Sequence, residues 1–292
     1  MRPSKSPLQK HRNNRLAAGA AAVVALLTIV STALAHDFWI IPDLFSIAAN
    51  ETIHANGRSG TRFPAGSAVQ PTRIADARVI GASSEARITE MSVEGGSLRL
   101  HQKPAAAGQY LIAVALQSGR LTRAAPAGLI RFLRAEGGAA EAARLERANA
   151  FAGMDSISYQ STSYAATTVQ VGRGGPRAFN KTAGFLLEFV PVNDPWQLHV
   201  GDTLHIKLLG GGTPVASIGI DATPAADTTA GATGPAAGAV SLTADANGVV
   251  HLSLTKSGPW LLRSAFVRRK PNGTANEFEV ARTTYVISVA GH

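Results

Sequence analysis

The chemistry open to this chain is set by eight histidines and the absence of cysteine, which removes thiolate metal sites, cysteine nucleophiles and disulfides together. His36 is the sharpest candidate. It follows Ala33-Leu34-Ala35, a small-x-small cleavage pattern, so cleavage after Ala35 makes it the first residue of the mature chain. Its free α-amine, with a pKa near ~8, and its own imidazole Nδ1 could then chelate one ion, with Asp37 adding an oxygen. Such a site needs a partner histidine: His54 is the first candidate and His101 the second, each on a strand. Neutral imidazole and amine nitrogens suit nickel, copper and zinc. The competing expectation is that His36 serves only cleavage while Phe38 and Trp39 anchor the chain start in the core.

His199, His205 and His251 suggest a second cluster. His205 and His251 both fall on polar strand faces, so one sandwich could bring them together, but only in a register that the sequence leaves open. The plainer expectation for both is a solvated face, and for His292 a frayed end. Asp202 is expected to order a turn and Trp260 to fill a core.

Catalytic signatures are missing: there is no Gly-x-Ser-x-Gly elbow, Walker loop, His-Glu-x-x-His or Rossmann glycine fingerprint. The chain is therefore expected not to be an enzyme. A copper oxidoreductase built on a terminal histidine would need a second histidine and an accessible surface.

The elements that must position these residues begin with a leader. Arg2, Lys5, Lys10, Arg12 and Arg15 precede an uncharged run over 16–35, the order of a secretory signal peptide. Those five account for much of the +9 formal charge; without them 23 basic residues face 19 acidic ones, and a nucleic-acid partner loses its support. At 45% hydrophobic and 16% charged, the rest of the 292 residues has a globular composition, enough for about two domains.

Short runs around 52–56, 77–80, 98–101 and 110–116 read as strands of an N-terminal β domain, 36–123. Residues 126–150 read as a short helical hairpin broken at Gly137-Gly138, within a connector and linker assigned to 124–182. From 183 to 292 strands return: Leu204, Ile206 and Leu208 alternate with Thr203, His205 and Lys207, and Val250, Leu252 and Leu254 with Val249, His251 and Ser253. The fold class is thus mainly β, two antiparallel sandwiches of transthyretin-like or immunoglobulin-like type with a helical connector. Residues 222–238, Ala, Thr, Gly and Pro with few large side chains, are expected to form a mobile loop.

Four stretches carry a resemblance: AHDFWIIP, RFLRAEG, LLEFVPVNDPWQLHVGDTLHIKLLGGGTPVAS and TADANGVVHLSLTKSGPWLLRSAFV. Together they resemble the exported bacterial family called domain of unknown function 4198, which includes periplasmic accessory components of nickel and cobalt uptake systems. Its more specific elements are HDFW and the passage with Glu188, Val190, Pro191, Asn193, Pro195, Gly201, Asp202 and Leu204. The resemblance implies a periplasmic protein that takes Ni(II) or Co(II), with Cu(II) or Zn(II) as further options, and works with a membrane metal transporter. The chain departs from the family pattern at Arg58 and Phe266, where members often carry histidine, and its segment 158–172 lacks the usual basic residues. The alternative function is a non-enzymatic interaction module that binds a protein or glycan. No oligomeric signal is readable.

Overall fold

The computed structural model describes residues 37–225 and 238–291. The leader, the cleavage site, His36, His292 and residues 226–237 of the expected loop lie outside the described residues.

In chain order the strands of the first half are β1 (Asp37–Pro42), β2 (Ser46–Ile47), β3 (Ile53–Gly60), β4 (Ser67–Ala68), β5 (Ile74–Ile80), β6 (Glu85–Arg87), β7 (Glu90–Glu94), β8 (Ser97–Gln102), β9 (Gly108–Leu116) and β10 (Thr122–Ala124). Helices α1 (Pro126–Ala135) and α2 (Ala139–Arg147) follow, and then β11 (Ile157–Val171). The second half holds β12 (Leu187–Pro191), β13 (Thr203–Gly210), β14 (Thr213–Pro214), β15 (Gly219–Pro224), β16 (Val240–Thr243), β17 (Val249–Ser253), β18 (Gly258–Arg269) and β19 (Glu277–Val289). No described helix is long and apolar enough to cross a membrane.

Among the described residues these strands make three sheets. The first runs β1-β3-β8-β7 with β4 on β3; the second, of ten strands, runs β16-β15-β18-β19-β11-β9-β5-β6 with β2 and β10 on β11; the third joins β12, β13, β14 and β17. The ten-stranded sheet takes strands from both halves of the chain. It is continuous because β11 pairs with β19 over ten residues, Ser158–Thr167 against Glu277–Val286. That ladder is parallel, unlike the antiparallel pairs expected. β11 also corrects the reading of 124–182: the helical hairpin is present, but a 15-residue strand occupies part of the expected linker. Its sequence explains the miss, because Ser, Thr and Ala at alternate positions give little apolar contrast, although the residues facing the core are buried.

Alternation along the central strands shows how the sheets stack. On β9, Tyr110, Ile112 and Val114 join a core with Phe38, Ile53 and Leu98 of the first sheet, while Leu111, Ala113 and Ala115 join a core with Leu187, Leu204 and Val250 of the third. Neighbouring residues on a strand point to opposite faces. The first and third sheets therefore cover opposite faces of the ten-stranded sheet, in three layers. The helices lie on the first sheet's side: Leu129, Leu133 and Leu145 pack with Ile157 and Tyr159, which share the face of Ala165 and Val169. Leu204, Ile206, Leu208, Val250, Leu252 and Leu254 all point inward as their alternation indicates, and Trp260 is fully buried.

Candidate metal centre

The first sheet offers its outer face to solvent. Ile53 and Ala55 of β3 and Leu98 and Leu100 of β8 are buried, so His54 and Asn56, with Arg99 and His101, take the opposite face. The antiparallel register sets His54 directly opposite His101. Facing residues in such a pair hold their Cβ atoms roughly 5 Å apart, and the two imidazoles meet. Their Nδ1 atoms are 2.6 Å apart, with ring centroids 4.8 Å apart and planes at 76°. One Nδ1–H donates to the other Nδ1. A tautomer shift in one ring frees both Nδ1 lone pairs, and two nitrogens at about 2.0 Å from a tetrahedral ion stand about 3.3 Å apart. Opening the pair by about 0.7 Å would admit an ion.

Carboxylates extend this row in both directions. Glu90 of β7 lies opposite His101 on its other side. Asp43, just past β1, donates its N–H to the His54 carbonyl at 2.9 Å. The Asp43 carboxylate is held by both Nη atoms of Arg99, at 2.9 and 2.7 Å, and by Asn56. The hydrogen bond from Arg99 holds the Asp43 carboxyl below its ordinary range against the opposing effect of burial, and Asn56 adds to it. This network ties the end of β1 to β3 and β8 beside the histidines. The sequence reading missed Asp43 and Arg99, whose partnership depends on strand register rather than on spacing.

A second pair repeats the arrangement in the third sheet. His205 of β13 faces His251 of β17. Their Nδ1 atoms are 2.7 Å apart, with centroids 4.7 Å apart and planes at 86°. The motif around Asn193 scaffolds this pair. Asn193 donates to the Thr203 carbonyl at 2.9 Å and accepts the His205 N–H at 2.8 Å. Asp194 caps the short turn that follows by accepting the Trp196 N–H at 3.0 Å, and Asp202 accepts the His199 N–H at 2.8 Å, ordering a turn as expected. Among the described residues no third His, Cys, Asp or Glu converges on either pair.

The remaining expected ligands are placed elsewhere. Asp37 pairs with Arg263, Oδ2 to Nη1 at 2.9 Å, and is 11% exposed. It stands opposite Gly60, six residues along β3 from His54, roughly 20 Å at about 3.3 Å per residue. Asp37 and His54 therefore do not serve one ion. Phe38 and Trp39 do anchor the chain start: both are buried, and Trp39 packs edge-on against Phe63 at 5.7 Å. At the two positions of departure noted above, Arg58 donates to Ser97 Oγ at 2.7 Å and Phe266 packs against the core of the third sheet.

The fold is that of a mainly β protein, sheets stacked as antiparallel sandwiches with, among the described residues, two short α-helices. The chain belongs to the family described as domain of unknown function (DUF4198), whose model matches residues 33–267. No curated protein sequence matches it. Among solved structures it is similar to Escherichia coli alpha-2-macroglobulin activated by porcine elastase (TM-score 0.23, 13% identity, 87% of this chain and 20% of that one). It is also similar to the Escherichia coli adhesin FdeC (TM-score 0.23, 16% identity, 89% of this chain and 65% of that one) and to murine CEACAM1b (TM-score 0.20, 8% identity, 88% and 100%). The chain thus spans a fifth of the macroglobulin, and likenesses at such TM-scores bear on neither activity nor partner.

Proposed function

We propose that this chain is an exported, non-enzymatic metal-binding accessory protein. It leaves the cytoplasm on its leader, captures Ni(II), Co(II) or a related transition-metal ion in the periplasm, and presents it to a membrane transporter component. The observation that supports the reading is the His54–His101 pair, an exposed and a half-buried imidazole with Nδ1 atoms 2.6 Å apart beside Asp43 and Glu90. Two imidazole nitrogens suit borderline transition metals rather than Ca(II) or Mg(II). A site with only two protein ligands leaves the ion open to water and to an incoming partner, which suits hand-over better than storage. Calorimetric titration of Ni(II), Co(II), Cu(II) and Zn(II) into signal-processed protein tests this, beside H54A/H101A. Loss of one bound ion in the double variant is the expected result; a wild-type chain that takes up none of the four ions removes the reading.

A second reading, an interaction module for a protein or glycan, is favoured by one feature. A cleft of about 350 Å³ is lined by Trp196, Arg173, Arg177, Gln170 and Gln197, and Trp196 is 44% exposed. Saturable quenching of tryptophan fluorescence by an oligosaccharide, lost in W196A and kept in H54A/H101A, would favour that module over metal delivery.

A further inference from the structure

We propose that His205 and His251 form a second transition-metal site, separate from the first and facing away from it. His54 and His101 lie on the outer face of the first sheet, because Ile53, Ala55 and Leu100 fill its inner face; His205 and His251 lie on the outer face of the third, because Leu204, Ile206, Val250 and Leu252 fill that one. These two sheets cover opposite faces of the ten-stranded sheet. The two pairs are therefore back to back across three layers, and no single ion reaches both.

Each pair, opened by about 0.6–0.7 Å, would have the nitrogen spacing of a bidentate chelate. At 2.7 Å between Nδ1 atoms, with His251 exposed and His205 half-buried, the second pair has its ion-facing nitrogens at the surface. The cross-strand register fixes the distance between the Cβ atoms, so little rotamer freedom remains to be lost on binding. His205 is also held in place through its backbone by Asn193.

The surroundings differ from those of the first pair in a way that ranks the two sites. Lys207 lies two residues from His205 on the same outer face. The nearby carboxylate, Asp245, accepts the N–H groups of Asn247 and Val249 at 2.8 Å each and so is committed to its turn. A cation close by and a carboxylate already engaged are shared with the first pair, where Arg99 and Asp43 hold those places; what sets the first pair apart is Glu90, opposite His101 on its other side, which makes the second the weaker of the two. Imidazole nitrogens without oxygen ligands favour Cu(II), Ni(II) and Zn(II).

The site goes beyond the delivery reading, since it neither uses nor requires the first pair. Its test is Cu(II) titration of the signal-processed chain carrying H36A and an acetylated N-terminus, which removes chelation at the terminus. Stoichiometry comes from calorimetry and the nitrogen ligands from electron paramagnetic resonance. Two ions per chain are expected, falling to one in H205A/H251A and to the other one in H54A/H101A, with nitrogen hyperfine structure in each remaining signal. H205Q/H251Q, which keeps side-chain bulk, is expected to lose the same ion, and near-ultraviolet circular dichroism reports that the fold is kept. Unchanged stoichiometry in H205A/H251A overturns the second site. Loss of an ion there together with none in H54A/H101A upholds the second site and overturns the first, so the two readings fail separately.

Discussion

Asp37 and His54 stand at opposite ends of one two-stranded ladder, Asp37 opposite Gly60 and Asp43 against His54. The sequence places them 17 positions apart and leaves open whether the strand between them folds back. Because β1 and β3 are antiparallel and fully paired, the start of the ladder is roughly 20 Å from His54. Asp37 is instead spent on Arg263, which also lies 3.5 Å from Asp221. A chelate formed at the chain terminus and one formed at His54 are therefore different sites. Replacing His36 by alanine and acetylating the N-terminus is expected to leave the H54A/H101A-sensitive binding unchanged. A loss of that binding in the altered chain, measured by the same calorimetry, would put the terminus and His54 on one ion.

Asp43 couples the first pair to the acid stability of its sheet. The Arg99 hydrogen bond lowers its folded-state pKa, so its contribution is complete above the ordinary carboxylate range and is lost as pH falls through the lowered value. Its side chain is 41% exposed, which limits that contribution to about 0.5–1 kcal/mol. D43N is expected to flatten the acid limb of urea midpoints measured from pH 2 to 6. It is also expected to weaken metal uptake at His54–His101 by roughly threefold, because the network that fixes β3 against β8 is loosened.

Glu188 carries the opposite sign. Burial raises its carboxyl, outweighing the donated Ala183 N–H at 2.6 Å and the positive charge of Arg78. The folded chain then binds more protons at this group than the unfolded chain does. Stability consequently falls as pH rises from the unfolded pKa through the raised folded one, and stays lower above it. E188Q removes the titration while keeping an acceptor for Ala183. Its urea midpoint is expected to vary less between pH 4 and 8 than that of the wild type and to exceed it at pH 8; parallel pH profiles for the two proteins would contradict this.

Alternating segments were the readable part of this chain. Leu204 to Leu208 and Val250 to Leu254 announce their inward faces, and from those faces the outward placement of His205 and His251 follows. Their meeting does not follow, because it depends on a register set by turns and by partners such as Asn193, twelve residues away in sequence from His205. The same holds for His54 and His101, which entered as alternative partners for His36 and are in fact each other's partner. The parallel β11–β19 ladder was hidden for a different reason. Its strands are more than 100 residues apart, and small polar residues along β11 look like a linker although Ala165 and Thr167 are completely buried.

Gly219 shows how closely α2 is seated on the ten-stranded sheet. A Cβ added there would lie 1.8 Å from the Cβ of Ala140, and the Gly219 carbonyl is fixed by the Ser264 hydroxyl at 2.7 Å. The strand cannot retreat without breaking that bond. G219A is expected to cost about 2–3 kcal/mol by overpacking. Adding A140G removes the clashing methyl and should recover part of the loss, less the ~1 kcal/mol that glycine costs in a helix. Chemical denaturation of the two single variants and the double variant measures this coupling, and additive effects would show that the two positions do not touch.

Glu141 joins the same helix to β18 through charge. Glu141 pairs with Arg144 one turn on at 2.6 Å, but the carboxylate is 1% exposed and its Oε1 also accepts the Val267 N–H at 2.8 Å. Removing it strands a buried backbone donor and leaves Arg144 without its partner. Loss of a buried charged acceptor of this kind costs about 3 kcal/mol. E141A is expected to lose that amount in urea, whereas E141Q, which still accepts from Val267, should lose roughly half. Because neither histidine pair lies on β18 or α2, both variants should bind Cu(II) with wild-type stoichiometry while folded. A change in stoichiometry would show that helix seating reaches the metal-binding faces.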